Sequence, residues 1–120
     1  MARILLVDDE PDVQETLGRM LEAGGHDVDL PALDRVESSL AKGAYDLVVT
    51  DLKMPGMDGR AVATWLRAHR PGTPVMCVTG VALDGQYDPS MANFDVVLGK
   101  PLRAKVLLQA VDALCRGAAA

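Results

Sequence analysis

Five polar residues in this chain stand directly after, or just beyond, short apolar runs. Asp8 and Asp9 follow residues 4–7, Asp51 follows Leu47–Thr50, Thr79 follows residues 75–78, and Lys100 lies two residues past 95–98. Together they are three carboxylates, a hydroxyl and an amine. Carboxylates gathered at one place repel one another, so such a group calls for a divalent cation. An all-oxygen donor set suits Mg²⁺, which keeps several waters and takes few protein ligands. Mg²⁺ beside a carboxylate, a lysine and a hydroxyl is equipment for phosphoryl transfer: the cations neutralise the equatorial phosphoryl oxygens while a carboxylate oxygen attacks in line and becomes an acyl phosphate. Asp51 is the candidate nucleophile.

That chemistry requires a scaffold that brings the ends of separate strands together. Residues 4–7, 26–30, 47–50, 75–78 and 95–98 read as five strands, the second weak and alternating, as an edge strand would be. Helical spacing appears between them. Val13, Leu17, Met20 and Leu21 mark a helix over residues 11–23, opened by Pro11 and stopped by Gly24-Gly25. A second runs from an N-cap candidate at Asp34 to Gly43, with Val36, Leu40 and Ala41 inward. A third follows Asp58 and ends at Pro71, with Ala61, Val62, Trp65 and Leu66 on one stripe. A last one over residues 101–115 has Leu102, Val106, Leu107, Ala110, Val111 and Leu114 at three and four spacing. The fourth crossover is left open, because Asp84-Gly85 and Asp88-Pro89 are turn and breaker pairs. Strands alternating with helices predict an α/β fold, a parallel sheet with right-handed crossovers and helices on both faces. Ligands bind such open sheets at the carboxyl ends of the strands, where strand order reverses. All five polar residues fall there.

The composition fits a single soluble domain covering residues 1–120. Of 120 residues, 49% are hydrophobic and 24% charged, with mean hydropathy +0.13. A net charge of −5 and a pI near 4.8 oppose the basic stripe needed for nucleic-acid phosphates, so direct nucleic-acid binding is not expected. The amino terminus carries only a short apolar run before three acids, which is neither a signal peptide nor a membrane anchor; a cytoplasmic location is the expectation. Cys77 and Cys115 read as reduced thiols with structural roles, and His26 and His69 as exposed or strand-end residues, since none has a partner at ligand spacing.

Asp8-Asp9-Glu10, then Asp51 followed by Met54-Pro55 and Gly59, then Thr79, then Lys100-Pro101, resemble in order and interval the receiver domain of two-component response regulators. The resemblance implies a flavodoxin-like, doubly wound five-stranded sheet of order 2-1-3-4-5. It implies that Asp51 accepts a phosphoryl group from a histidine kinase or phosphotransfer protein. Asp9 and Asp51 would ligate Mg²⁺ by side chain, Asp8 through water, and Lys53 by its backbone carbonyl. Thr79 would hydrogen-bond the phosphoryl group, Lys100 would pair with it, and the Lys100-Pro101 peptide would be cis. The signal would pass to a downstream protein or an appended output domain. A self-phosphorylating and self-dephosphorylating signalling domain, not a turnover enzyme, is the expectation.

The chain also departs from the family pattern. Val97 occupies the place of the Tyr or Phe whose inward turn reports the threonine's movement, Gly80 replaces the usual alanine after it, and Leu102 replaces a frequent aromatic. Phosphorylation would then be reported by ordering or moving residues 85–89, or the domain would be chiefly a phosphate sink or relay. A small-molecule phosphatase with an aspartate nucleophile wants a second acid two residues on, where Lys53 stands; that lysine, at the rim, could instead tune the lifetime of the acyl phosphate. No Gly-rich phosphate loop follows the first strand, which argues against a nucleotide-binding enzyme. A pseudo-receiver that binds partners without phosphorylation is the remaining alternative.

Overall fold

The computed structural model describes residues 2–80 and 89–119. Its sheet has five parallel strands: β1 (Arg3–Val7), β2 (Asp27–Asp29), β3 (Leu47–Thr50), β6 (Val75–Thr79) and β7 (Val96–Gly99). They lie in the order β2-β1-β3-β6-β7, which is the expected 2-1-3-4-5 once a small separate hairpin is set aside. The hairpin pairs β4 (Lys53–Met54) with β5 (Met57–Asp58) across Pro55-Gly56, where Gly56 takes φ +71°. Proline first and a left-handed glycine second is the chemistry of a type II turn.

β3 and β6 are buried along their whole length and β1 from its second residue on, so they read as continuous apolar runs. Their side chains alternate between two cores. Leu5, Val7, Val48, Val75 and Cys77 face α2 (Val36–Lys42) and α3 (Gly59–His69), meeting Val36, Leu40, Val62 and Leu66. Ile4, Leu6, Leu47, Val49, Met76 and Val78 face α1 (Pro11–Ala23) and α4 (Ala104–Ala119), meeting Leu17, Leu21, Leu107 and Val111. Helices on both faces follow from two apolar stripes per strand.

α1 begins with Pro11 at its first position and ends as the Gly24-Gly25 pair predicts. Gly25 N–H donates to Glu22 O (2.9 Å), His26 N–H to Leu21 O (3.2 Å), and Gly25 carries φ +88°. Those two bonds make a Schellman stop and set the entry into β2. The edge strand is shorter than expected, three residues against five. Asp34 does not cap a helix: it lies inside a 3₁₀ turn, Leu33–Arg35, and α2 starts at Val36. α4 starts at Ala104, three residues later than expected, with Arg103 O accepting from Leu107 N–H. Val106 faces outward and is 41% exposed, because Leu107 and Val111 take the inner stripe. Of the two breaker pairs, Asp84, Gly85 and Asp88 lie outside the described residues; Pro89 opens a single 3₁₀ turn, Pro89–Met91.

α3 opens on a side-chain cap. Asp58 supplies it, accepting from Arg60 N–H at 2.9 Å, and the later turns of the helix carry Trp65 stacked on His69 at 4.4 Å, with Arg70, just past the helix end, 5.9 Å from the indole centre. No helix among the described residues is long and apolar enough to cross a membrane.

Candidate functional site

Strand order reverses between β1 and β3, because the chain leaves β1 for β2 on one side and returns to β3 on the other. Val7 and Thr50 are register partners there, so the next residues of the two strands, Asp8 and Asp51, emerge side by side. Thr79 and Gly99 are partners in β6 and β7, which delivers Lys100 to the same edge. Four strand ends thus converge as the spacing requires.

Lys100 Nζ lies 2.8 Å from Asp8 Oδ2 and 3.0 Å from Asp51 Oδ2. Both acids are buried, their side chains 2% and 8% exposed, and the lysine side chain is 15% exposed. Burial alone would pull the Lys100 ammonium down; its hydrogen bonds to Asp8 and Asp51, with their charges, override that and hold its pKa above the ordinary lysine value. The ammonium is therefore charged wherever the protein is folded at neutral pH.

The backbone fixes the acids. Asp8 Oδ1 accepts from Glu10 N–H at 2.9 Å, an Asx-type turn that leads into α1. Asp51 Oδ1 accepts from Leu52 N–H at 2.7 Å, and Asp51 N–H donates to Val7 O at 2.9 Å. Thr50, fully buried, donates its hydroxyl to Asp51 O at 2.9 Å. Each polar group of Asp51 has a named partner, which is how a carboxylate is held at a fixed angle.

Asp8, Asp9, Glu10 and Asp51 each bring one carboxylate oxygen within 4.8 Å of the others. Four acids carry more negative charge than the Lys100 ammonium offsets, in a partly buried cleft, and hard all-oxygen donors fit Mg²⁺. In the sequence Glu10 is only the last residue of the acidic run, with no role of its own. It reaches the cluster because it is the exposed first residue ahead of α1, with no side-chain cap bond of its own, and its carboxylate stands 3.9 Å from Lys100 Nζ.

The remaining expected residues occupy the rim and the support. Thr79 is buried at the end of β6, its carbonyl accepting from Lys100 N–H at 2.9 Å. The Lys100-Pro101 peptide is cis, as expected. Gly80 is exposed with open space around it, and Lys53 is exposed on the hairpin across from Asp58. Val97, half-buried, packs against the core that α2 and α3 cover, and Leu102 against the opposite core. Cys77 lies beneath the site in register with Thr50. Burial, and then the Asp51 charge, pushes its thiol up to about 12, which makes it an inert packing residue. Cys77 and Cys115 are both free thiols.

The response regulator receiver domain matches this chain over residues 4–112. Among curated proteins, the chain is 35% identical over 114 residues to the response regulator protein FleR of Pseudomonas aeruginosa, covering 92% of this chain and 24% of FleR. It is 37% identical over 116 residues to the transcriptional regulatory protein TcrA of Mycobacterium tuberculosis, covering 95% of this chain and 46% of TcrA. The chain thus spans a quarter to a half of these relatives. Among solved structures, the response regulator TrrA of Thermotoga maritima in complex with Mg²⁺-BeF superposes with a TM-score of 0.86 at 30% identity, over 95% of this chain and 99% of that one.

Proposed function

This chain belongs to the response regulator receiver family, and from that premise we propose that Asp51 takes a phosphoryl group from a histidine kinase or phosphotransfer protein in a Mg²⁺-dependent reaction. The observation that carries the proposal is the Lys100 ammonium bridging Asp51 and Asp8 at the point where strand order reverses. An Asp51 carboxylate oxygen attacks phosphorus and forms the acyl phosphate. The P–N bond of the donor phosphohistidine breaks, its electron pair leaves with the imidazole nitrogen, and that nitrogen takes up a proton. Lys100 moves its charge from a carboxylate to a phosphoryl oxygen without leaving the cleft, and the Thr79 hydroxyl bonds another. Asp8, Asp9, Asp51 and the Lys53 carbonyl would hold Mg²⁺, which when bound neutralises charge on the transferring group. Hydrolysis of the acyl phosphate resets the domain, so it acts as a timed signal and not as a turnover enzyme.

The phosphorylated state then alters binding to a downstream protein or to an appended output domain. Val97 favours a second reading, since a half-buried valine has no ring to swing inward: a phosphate sink with little conformational output. A chemical-shift map with and without a phosphoryl mimic separates the two, changes confined to the Asp51 pocket favouring the sink. For the phosphoryl-acceptor claim itself, the test is intact mass after incubation with acetyl phosphate and Mg²⁺. Wild type gains one phosphoryl mass and Asp51→Asn gains none. A folded wild type that gains nothing refutes the claim and leaves the pseudo-receiver.

A further inference from the structure

We propose that Gly59 is a positioning residue for Asp51: the first turn of α3, capped by Asp58 and entered without a side chain at residue 59, sets the angle of the nucleophile. The inference rests on the phosphoryl-acceptor reading for its kinetic consequence but on contacts alone for its structural one.

Gly59 lies against the Asp51 carbonyl. A Cβ at residue 59 would overlap the Asp51 carbonyl oxygen, and would sit 3.1 Å from the carbonyl carbon and 3.2 Å from Leu52 Cα. All three are main chain, with no flexible end to swing aside. Gly59 N–H also donates to Leu52 O at 2.7 Å, so the helix start and the residue after the nucleophile are tied from both directions. Gly59 has no positive φ to explain its identity, which leaves close approach as the reason for glycine.

The effect reaches the carboxylate through one rigid unit. The Asp51 carbonyl and the Leu52 N–H belong to the same planar peptide. Leu52 N–H holds Asp51 Oδ1 at 2.7 Å, while Oδ2 points at Lys100. Pushing the carbonyl away from residue 59 turns that plane, swings the N–H that anchors Oδ1, and takes Oδ2 off Lys100. Displacing a reacting group by about 1 Å costs on the order of 10²-fold in rate.

The cap belongs to the same device. Asp58 accepts from Arg60 N–H at 2.9 Å and is the register partner of Lys53, so it holds the helix start to the hairpin that leaves Asp51. Removing it lets α3 shift against the Asp51 carbonyl without adding an atom.

The experiment compares wild type with Gly59→Ala, and with Gly72→Ala as control, since a Cβ at Gly72 meets nothing within 4 Å. Two readouts are taken on folded protein, well below each thermal midpoint: the initial rate of phosphoryl uptake from acetyl phosphate with Mg²⁺, and the ¹H–¹⁵N resonance of Leu52. In Gly59→Ala uptake falls by about 10²-fold and the Leu52 resonance moves, while Gly72→Ala matches wild type in both. A purely structural glycine would lower the melting temperature and leave folded-state uptake and Leu52 unchanged, and that result overturns the inference. If wild type takes up no phosphoryl group, the functional reading fails alone and Leu52 still decides. Should Gly59→Ala not fold, Asp58→Ala carries the test: slower uptake with a shifted Leu52 resonance supports the inference, and wild-type behaviour in both overturns it.

Discussion

At the amino-terminal ends of the strands, Asp46 Oδ2 accepts from Arg3 N–H at 2.8 Å, and Asp95 Oδ2 accepts from Val75 N–H at 2.8 Å and from Arg67 at 2.6 Å. Arg3 also lies over the Tyr45 ring and pairs with Asp29, which accepts from the Tyr45 hydroxyl. Each of these acids is answered locally by a donor, and each side chain is at least partly in water. At the carboxyl ends, four acids crowd around one ammonium, two of them deeply buried. One edge spends its charges on holding strands in register. The other holds a surplus of one sign in place, which costs stability and is useful only to something positive that arrives.

Lys100→Met should break the contrast most strongly. It strands the Asp8 and Asp51 carboxylates without a counter-charge, at a cost of about 3–5 kcal/mol in chemical denaturation without Mg²⁺. Added Mg²⁺ should recover part of the loss, because an ion that binds only the folded state stabilises it by mass action. A loss indifferent to Mg²⁺ would mean that the acids do not form one cation site. Asp95→Ala, at the other edge, should cost about 1–3 kcal/mol by leaving the Val75 N–H unpaired, with no dependence on Mg²⁺.

The smallest effect at neutral pH, and the one that sharpens the comparison on heating at high pH, is alkaline titration. Cys77 and Tyr45 both titrate near 12 in the folded protein, against 9.0 and 10.0 ordinarily. Burial leads both shifts, with Asp51 adding to the first and Asp29 to the second. Folded pKa values above the unfolded ones mean that the folded state holds its protons longer. The stabilisation is complete below pH 9 and is lost as pH rises through about 12. The melting temperature should therefore be level from pH 7 to 9 and fall beyond it, less steeply in Cys77→Val.

The carboxyl edge was more legible in the sequence than its surroundings. Asp8, Asp51, Thr79 and Lys100 could be placed because a buried parallel strand is a continuous apolar run, and its end is marked by the first polar residue. Glu10 escaped because nothing in the run Asp8-Asp9-Glu10 tells which carboxylate turns back over the strand ends and which faces water; the Asx turn at Asp8 decides that. Val106 shares the helical spacing of Leu107 and Val111 yet faces outward, because apolar residues around so much of a helix do not reveal which stripe a sheet will cover. Asp34 has the composition of a cap, yet the chain spends a 3₁₀ turn there before α2 begins. Gly59 stands in the sequence as part of the run that resembles the family, but its close approach to the Asp51 carbonyl shows only in the fold.

The stack of His69 on Trp65 in α3, with Arg70 beside it, has a consequence for observing this molecule. The chain contains one tryptophan, so its indole emission comes from a single half-buried ring that stacks on an imidazole and has a guanidinium close by. Whatever light the protein returns under excitation of indole speaks for the helix whose opposite end rests on the carbonyl of Asp51.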